Sequence, residues 1–238
     1  MGHNLLWMTC RHHMFEILLS DVFCVCFGQS SGPEILLFKR FREIREKWQD
    51  LLQRQPKPRA TAATPLIAAC EQLKEFIVEQ VQVNHPRDDY QKFLQLAGFM
   101  VGLTIKATVR KPGAMHRARW MVKAIYSMKI EIILDGNESV IQLTARELQA
   151  IQRFNRFVVN VYLKSWFSCR KVVDAAFNDI QLIQTLNDYD DAAIKATGLK
   201  MTKRHSWYLS QELATLSLFS QQVLCEEKTQ LVSTMKVD

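Results

Sequence analysis

The residue types best suited to chemistry come early in the chain. Cys10-Arg-His-His13 sets a thiol and an imidazole three residues apart, with Cys24 and Cys26 downstream. Zinc takes four ligands, commonly Cys and His, and a second C-x2-C or H-x3-H pair is missing. Cys10 and His13 are therefore the metal candidates, and Cys24 and Cys26 join them only if the helix folds back. The alternative is a buried thiol beside a hydrogen-bonded imidazole. A Cys–His couple also serves as nucleophile and base, but nothing in the sequence positions this one. The acidic run at 187–191, NDYDD, reads either as a divalent-ion site or as a helix start, where carboxylates suit the dipole. No Gly-rich phosphate loop, G-x-S-x-G elbow or H-E-x-x-H occurs.

Charge gives the densest signal. Residues 105–130 hold seven Lys or Arg (Lys106, Arg110, Lys111, Arg117, Arg119, Lys123, Lys129) and no Asp or Glu, which equals the net +7 of all 238 residues. Phosphate contacts need Lys and Arg along one face. His116, Arg119 and Lys123 recur at i, i+3 and i+7 and so share a face. A helix over 115–134 puts Met121, Ala124, Ile125, Met128 and Ile132 on one side and His116, Arg119, Lys123 and Tyr126 on the other. Arg117 falls on the apolar side, where it is expected to be buried and paired, or to reach out at the helix N-terminus. A further polar stripe, Arg153, Arg156, Asn160 and Lys164, lies on a helix over 145–169. The competing interpretation is a solvated amphipathic face. A membrane-surface helix fits less well, because the apolar face is needed for the core.

The elements that carry these residues are helical. Only 8 Gly and 6 Pro argue against a strand-and-turn fold, and 48% hydrophobic with 23% charged residues is a globular composition. Apolar spacing predicts helices over 10–27 (Phe15, Leu18, Leu19, Val22, Phe23), 33–54 (Leu37, Phe41, Ile44, Trp48, Leu51), 65–83, 90–102, 115–134 and 145–169. The last has Leu148, Ile151, Val158, Tyr162 and Trp166 inside, and Thr144-x-x-Glu147 opens it as a capping box. Helices follow over 173–187, 190–197 (ended by Gly198), 206–219 and 224–234. The expectation is a mostly α, multi-helix bundle of about nine helices. It divides into an N-terminal hairpin at 1–54 carrying C-x-x-H, a linker at 55–65 (QPKPRATAATP) and a helical domain at 66–238.

Six scattered Cys suit a reducing compartment, nuclear or cytoplasmic. Arg11, His12, His13, Glu16 and Asp21 interrupt the first 27 residues, so neither a secretory signal nor a membrane span fits them. Leu5, Leu6, Trp7 and Met8 open the chain without a polar lead-in. A protein partner or a missing N-terminal domain is expected to cover them.

Several stretches carry a resemblance: LLWMTCRHHMFEI (5–17), SSGPEILLFKRF (30–41), RDDYQKFLQL (87–96), PGAMHRARWMVKAIYSMKI (112–130) and HSWYLSQELATLSLF (205–219). The chain resembles proteins encoded by invertebrate mobile elements. Through C-x-x-H and the overall layout it resembles the C-terminal part of RNase-H-type transposases of the hAT-like and P-element-like kinds. In those enzymes C-x-x-H follows the second catalytic Asp, a helical insertion comes next, and a third acidic residue lies beyond it. The resemblance implies that Cys10 and His13 are the C-x-x-H pair, that residues 30–200 are the insertion, and that Glu212 is the third carboxylate. Three such carboxylates hold two metal ions, Mg²⁺ or Mn²⁺. The first two Asp would lie before Leu5 and are not in this sequence. The expectation is therefore a transposon-derived, DNA-associating helical module without catalysis or cofactor. The alternative is a helical protein-interaction module, or a remnant with no nucleic-acid role.

Overall fold

The computed structural model describes residues 11–29, 35–44, 67–85, 87–104, 120–134, 141–169, 171–205 and 215–235. In chain order these form α1 (Arg11–Phe27), α2 (Leu36–Glu43), α3 (Ile67–Gln82), α4 (Asp88–Met100), α5 (Trp120–Leu134) and α6 (Ala145–Phe157). A π-helical turn (Val158–Tyr162) and α7 (Leu163–Ser168) continue α6 without a break. A 3₁₀ turn (Val172–Asp174) leads into α8 (Ala175–Asn187), and α9 (Ala192–His205), a second 3₁₀ turn (Thr215–Phe219) and α10 (Cys225–Met235) follow. With 145–168 counted as one rod, the described residues hold nine α-helices and no strand, the mostly α architecture that apolar spacing predicts. None of these helices is long and apolar enough to cross a membrane.

The chain divides into two units, one of Met1–Leu18 with Ser165–Asp238 and the other of Leu19–Lys164. The boundaries fall inside α1 and α7. The 55–65 linker expected to separate domains lies outside the described residues.

In the 19–164 unit, α3 packs on α4, α4 on α5 and α5 on α6. Edge-on and tilted rings tie the remaining helices in. Phe23 of α1 meets Phe154 of α6 at 5.1 Å and Phe38 of α2 at 6.1 Å, and Phe38 and Phe41 meet Tyr126 of α5 at 5.6 and 5.7 Å. Such pairs contribute about 0.5–1.5 kcal/mol each beyond their buried area. The α1 face expected to be apolar (Phe15, Leu18, Leu19, Val22, Phe23) is fully buried. Gly28 ends that helix at φ +85°, its N–H donating to the Cys24 carbonyl at 2.9 Å, in a left-handed conformation that glycine adopts without strain.

The rod at 145–168 starts where the capping box places it. The Glu147 N–H donates to Thr144 Oγ1 at 3.2 Å, and Thr144 N–H donates to Glu147 Oε2 at 2.9 Å. Glu147 also takes Arg40 of α2, whose Nη1 donates to the Gln142 carbonyl at 2.7 Å. One carboxylate thus caps a helix and anchors its neighbour. Ile151, Val158, Tyr162 and Trp166 are buried as expected, whereas Leu148, expected inside, is 38% exposed in the first turn of the rod.

In the other unit, α9 packs on α8. The run at 187–191 is a helix start: Asp191 Oδ1 accepts from the Ala193 and Ile194 N–H groups, both at 3.2 Å. Gly198 does not end α9 as expected but lies inside it. A Cβ there would stand 2.6 Å from Leu186 Cδ2 of α8, so glycine permits the close approach of the two helices. The expected helix at 206–219 is, over 215–219, a 3₁₀ turn. A polar knot fastens this turn. Asp174 accepts from Ser220 Oγ at 2.5 Å, Asn178 Nδ2 donates to the Asp174 carbonyl at 2.7 Å, and Gln222 Nε2 donates to the Ser168 carbonyl at 3.1 Å. Arg11 binds Asp179 at 2.8 Å and lies over the Phe15 ring.

Candidate nucleic-acid interface

His116, Arg119, Arg117, Cys10 and Glu212 lie outside the described residues, as do Leu5–Met8. The others are placed. His13 is exposed in the first turn of α1. No group of three or more His, Cys, Asp or Glu among the described residues is arranged to hold a metal ion. Cys24, Cys26, Cys169 and Cys225 form no disulfide. Burial pushes the Cys169 thiol up, against the Arg11 charge, and its Sγ donates to the Lys171 carbonyl at 3.3 Å. A raised thiol pKa is the opposite of nucleophile activation.

Lys123 corrects the sequence-based reading. It was expected on a solvent face with Tyr126, yet Lys123 and Tyr126 are each 4% exposed. The helical wheel separates one side of α5 from the other correctly, but α5 has no solvent side: every residue from Met121 to Ile133 except Val122 is buried. A helix enclosed all round is a central helix. Tyr126 fills the ring cluster of α2, and the Lys123 ammonium lies 5.0 Å from the Phe23 ring centroid, a cation–π contact. Burial pulls the Lys123 pKa below its ordinary value, with Cys24 opposing the shift. Lys123 therefore faces α1 and is withdrawn from phosphate contact.

Two more ionisable groups share α5. Lys129 is 6% exposed, and burial, then the Lys92 charge, lowers its pKa to about 8. Glu131, also 6% exposed, accepts from Asn155 Nδ2 of α6 at 2.6 Å. Neither the alternation of residue types nor the helical wheel marks these as interior. Their signal is the length of the apolar run around them, Ala124 to Leu134, which leaves no polar side wide enough for solvent.

The rod is different. Lys164 is exposed and Arg153, Arg156 and Asn160 are half-buried, so the stripe seen in the sequence faces outward in part. Arg146, which sequence reasoning missed, is exposed seven residues before Arg153, about two turns, and so on the same face. On a regular α-helix, residues four apart drift about 40° per step. The wider turn at Val158–Tyr162 takes that drift back and keeps Arg156, Asn160 and Lys164 in line. From Leu148 to Lys164 the rod carries no Asp or Glu.

Charge is partitioned between the units. Residues 19–164 hold 22 Lys and Arg against 14 Asp and Glu, a net +8, and the remainder hold 9 against 10, a net −1. No known protein family, curated protein or solved structure matches this chain.

Proposed function

We propose that the 19–164 unit is a DNA-associating helical module that grips phosphates without reading bases. The observation that carries this is the partition of charge: the whole positive excess of the protein belongs to one unit, whose long rod is free of acid from 148 to 164. Arg146, Arg153, Arg156 and Lys164 are the contacts on the rod, with His116 and Arg119 from the preceding basic segment. Lys123 takes no part. Sequence-independent affinity of this kind comes from released counterions and falls with salt. Fluorescence anisotropy with a labelled duplex tests it: retention at low salt, weakened in the Arg153→Glu/Lys164→Glu double variant, is expected. No retention at low salt, or an unchanged affinity in the variant, overturns it.

On the quoted motifs alone we also propose descent from an RNase-H-type transposase, with a nuclear location and without catalysis. Incubation with plasmid and Mg²⁺ or Mn²⁺ is expected to leave the plasmid intact. Nicking lost in Glu212→Gln would replace the binding proposal with a nuclease.

A second reading, a protein-interaction module, is favoured by one observation. In the other unit Val172, Phe219 and Leu224 are 57%, 75% and 67% exposed, and large exposed apolar side chains in one region mark contact surfaces. Self-association in light scattering that Phe219→Ser abolishes would support this reading.

A further inference from the structure

In the interior of the 19–164 unit, α5 carries a polar seam. Lys123, Ser127 and Glu131 recur every four residues and so stack on one face, and all three are buried. Asn155 of α6 closes the seam through its Nδ2 bond to Glu131. The carboxylate fixes the orientation of that amide, because only the NH₂ end can donate to it. The Asn155 carbonyl oxygen is left facing elsewhere, and it has no hydrogen-bond partner in the protein. Ser127 Oγ, one turn before Glu131, has none either. Both residues are 0% exposed.

Two orphaned polar groups in a core cost about 1–3 kcal/mol each, against a total stability of roughly 5–15 kcal/mol for a domain. Most buried polar groups in native proteins have a hydrogen-bond partner, from the protein or from water. We infer that the seam between α5 and α6 is a binding site for an internal water, held by Ser127 Oγ, Asn155 Oδ1 and the Glu131 carboxylate. The chemistry selects this ligand. The site offers two acceptors and a hydroxyl that both donates and accepts, so it calls for a small neutral molecule with two donors and two lone pairs. Three partners fall within the two to four that a buried water typically makes. An anion is refused by Glu131, and a larger molecule is disfavoured where Ser127 and Asn155 are both 0% exposed. The hydrated seam accounts for a serine and an asparagine at the centre of an otherwise apolar interface. It is independent of the DNA proposal.

Water-oxygen relaxation dispersion on the full-length protein, which counts long-lived internal waters, tests this. Ser127→Ala, a substitution small enough to keep the fold, is expected to lower the count by one. A crystal structure of the unsubstituted protein is expected to show a water within about 3 Å of Ser127 Oγ and Asn155 Oδ1. A dry seam with the Ser127 hydroxyl bonded back to the Lys123 carbonyl, the ordinary alternative for a helical serine, overturns the inference. So does a water count that is the same in Ser127→Ala and in the unsubstituted protein.

Discussion

Lys129 gives the protein a pH dependence whose sign is fixed. Its folded pKa is about 8 and its ordinary value 10.5, because burial and then Lys92 disfavour the ammonium. Below pH 8 both the folded and unfolded states are protonated, so the cost of burying the charge is present in full. As pH rises through 8 toward 10.5 the folded state loses its proton first, and the cost fades. Unfolding free energy should therefore rise across that window, by on the order of 3 kcal/mol. Urea titrations at pH 7.5 and 10 measure it, and Lys129→Met separates it from every other titrating group. The difference between the two proteins should shrink as pH rises, and a constant difference would show that Lys129 does not titrate in the fold. Burial lowers the Lys123 pKa as well, but its ammonium also rests on the Phe23 ring. Lys123→Met keeps the stem, loses the cation–π contact, roughly 0.5–2 kcal/mol, and relieves the cost of burying the charge, so the net loss of stability should be smaller than the contact alone. Lys123→Glu turns a carboxylate toward the same ring and should cost on the order of 3 kcal/mol. Lys164→Glu, at an exposed site, should stay within about 0.5 kcal/mol of the unsubstituted protein.

Helices join here through single residues with two functions. Glu147 completes the capping box and holds Arg40, so Glu147→Ala loses both, whereas Thr144→Ala loses a cap worth about 1 kcal/mol. Thermal unfolding should rank Glu147→Ala below Thr144→Ala; equal values would mean that the Arg40 contact contributes nothing. Gly198 is the other such residue. Leu186, which a Cβ there would meet, is wholly buried, so Gly198→Leu must push α8 and α9 apart and should cost about 1–3 kcal/mol. Neither its place inside a helix nor this contact was legible in the sequence, where glycine after an apolar run marks a helix end. The capping box was legible because its geometry is local, and it located the start of the rod within a residue. The stripe of Arg153, Arg156 and Lys164 was legible because the rod keeps a solvent side. The burial of Lys123, Lys129 and Glu131 was not legible from periodicity, which reports which residues share a face and not whether any face meets water; for Lys129 and Glu131 only the length of the apolar run around them marks it. The π turn that keeps the stripe in line had no signal of its own in the sequence.

Across the whole molecule, the two units differ in charge by nine, +8 against −1, and this difference makes a quantitative claim about binding. If the four cations of the rod each neutralise one phosphate, log affinity should fall with log salt at a slope of about −3.6, since each phosphate contact contributes roughly −0.9. Contacts from His116 and Arg119 would steepen it. Removing one cation by Arg146→Ala or Lys164→Ala should flatten the slope by about 0.9 and weaken binding equally on all duplex sequences, as expected where contact is with backbone alone. Lys123→Met removes a charge from the same unit, but one enclosed against Phe23, and should leave the slope where it was. The two classes of variant thus separate surface charge from net charge, which a comparison of pI values would confuse. A slope that changes as much in Lys123→Met as in Lys164→Ala would mean that α5 opens to reach the phosphates, and that the enclosed helix of the free protein is not the form that binds.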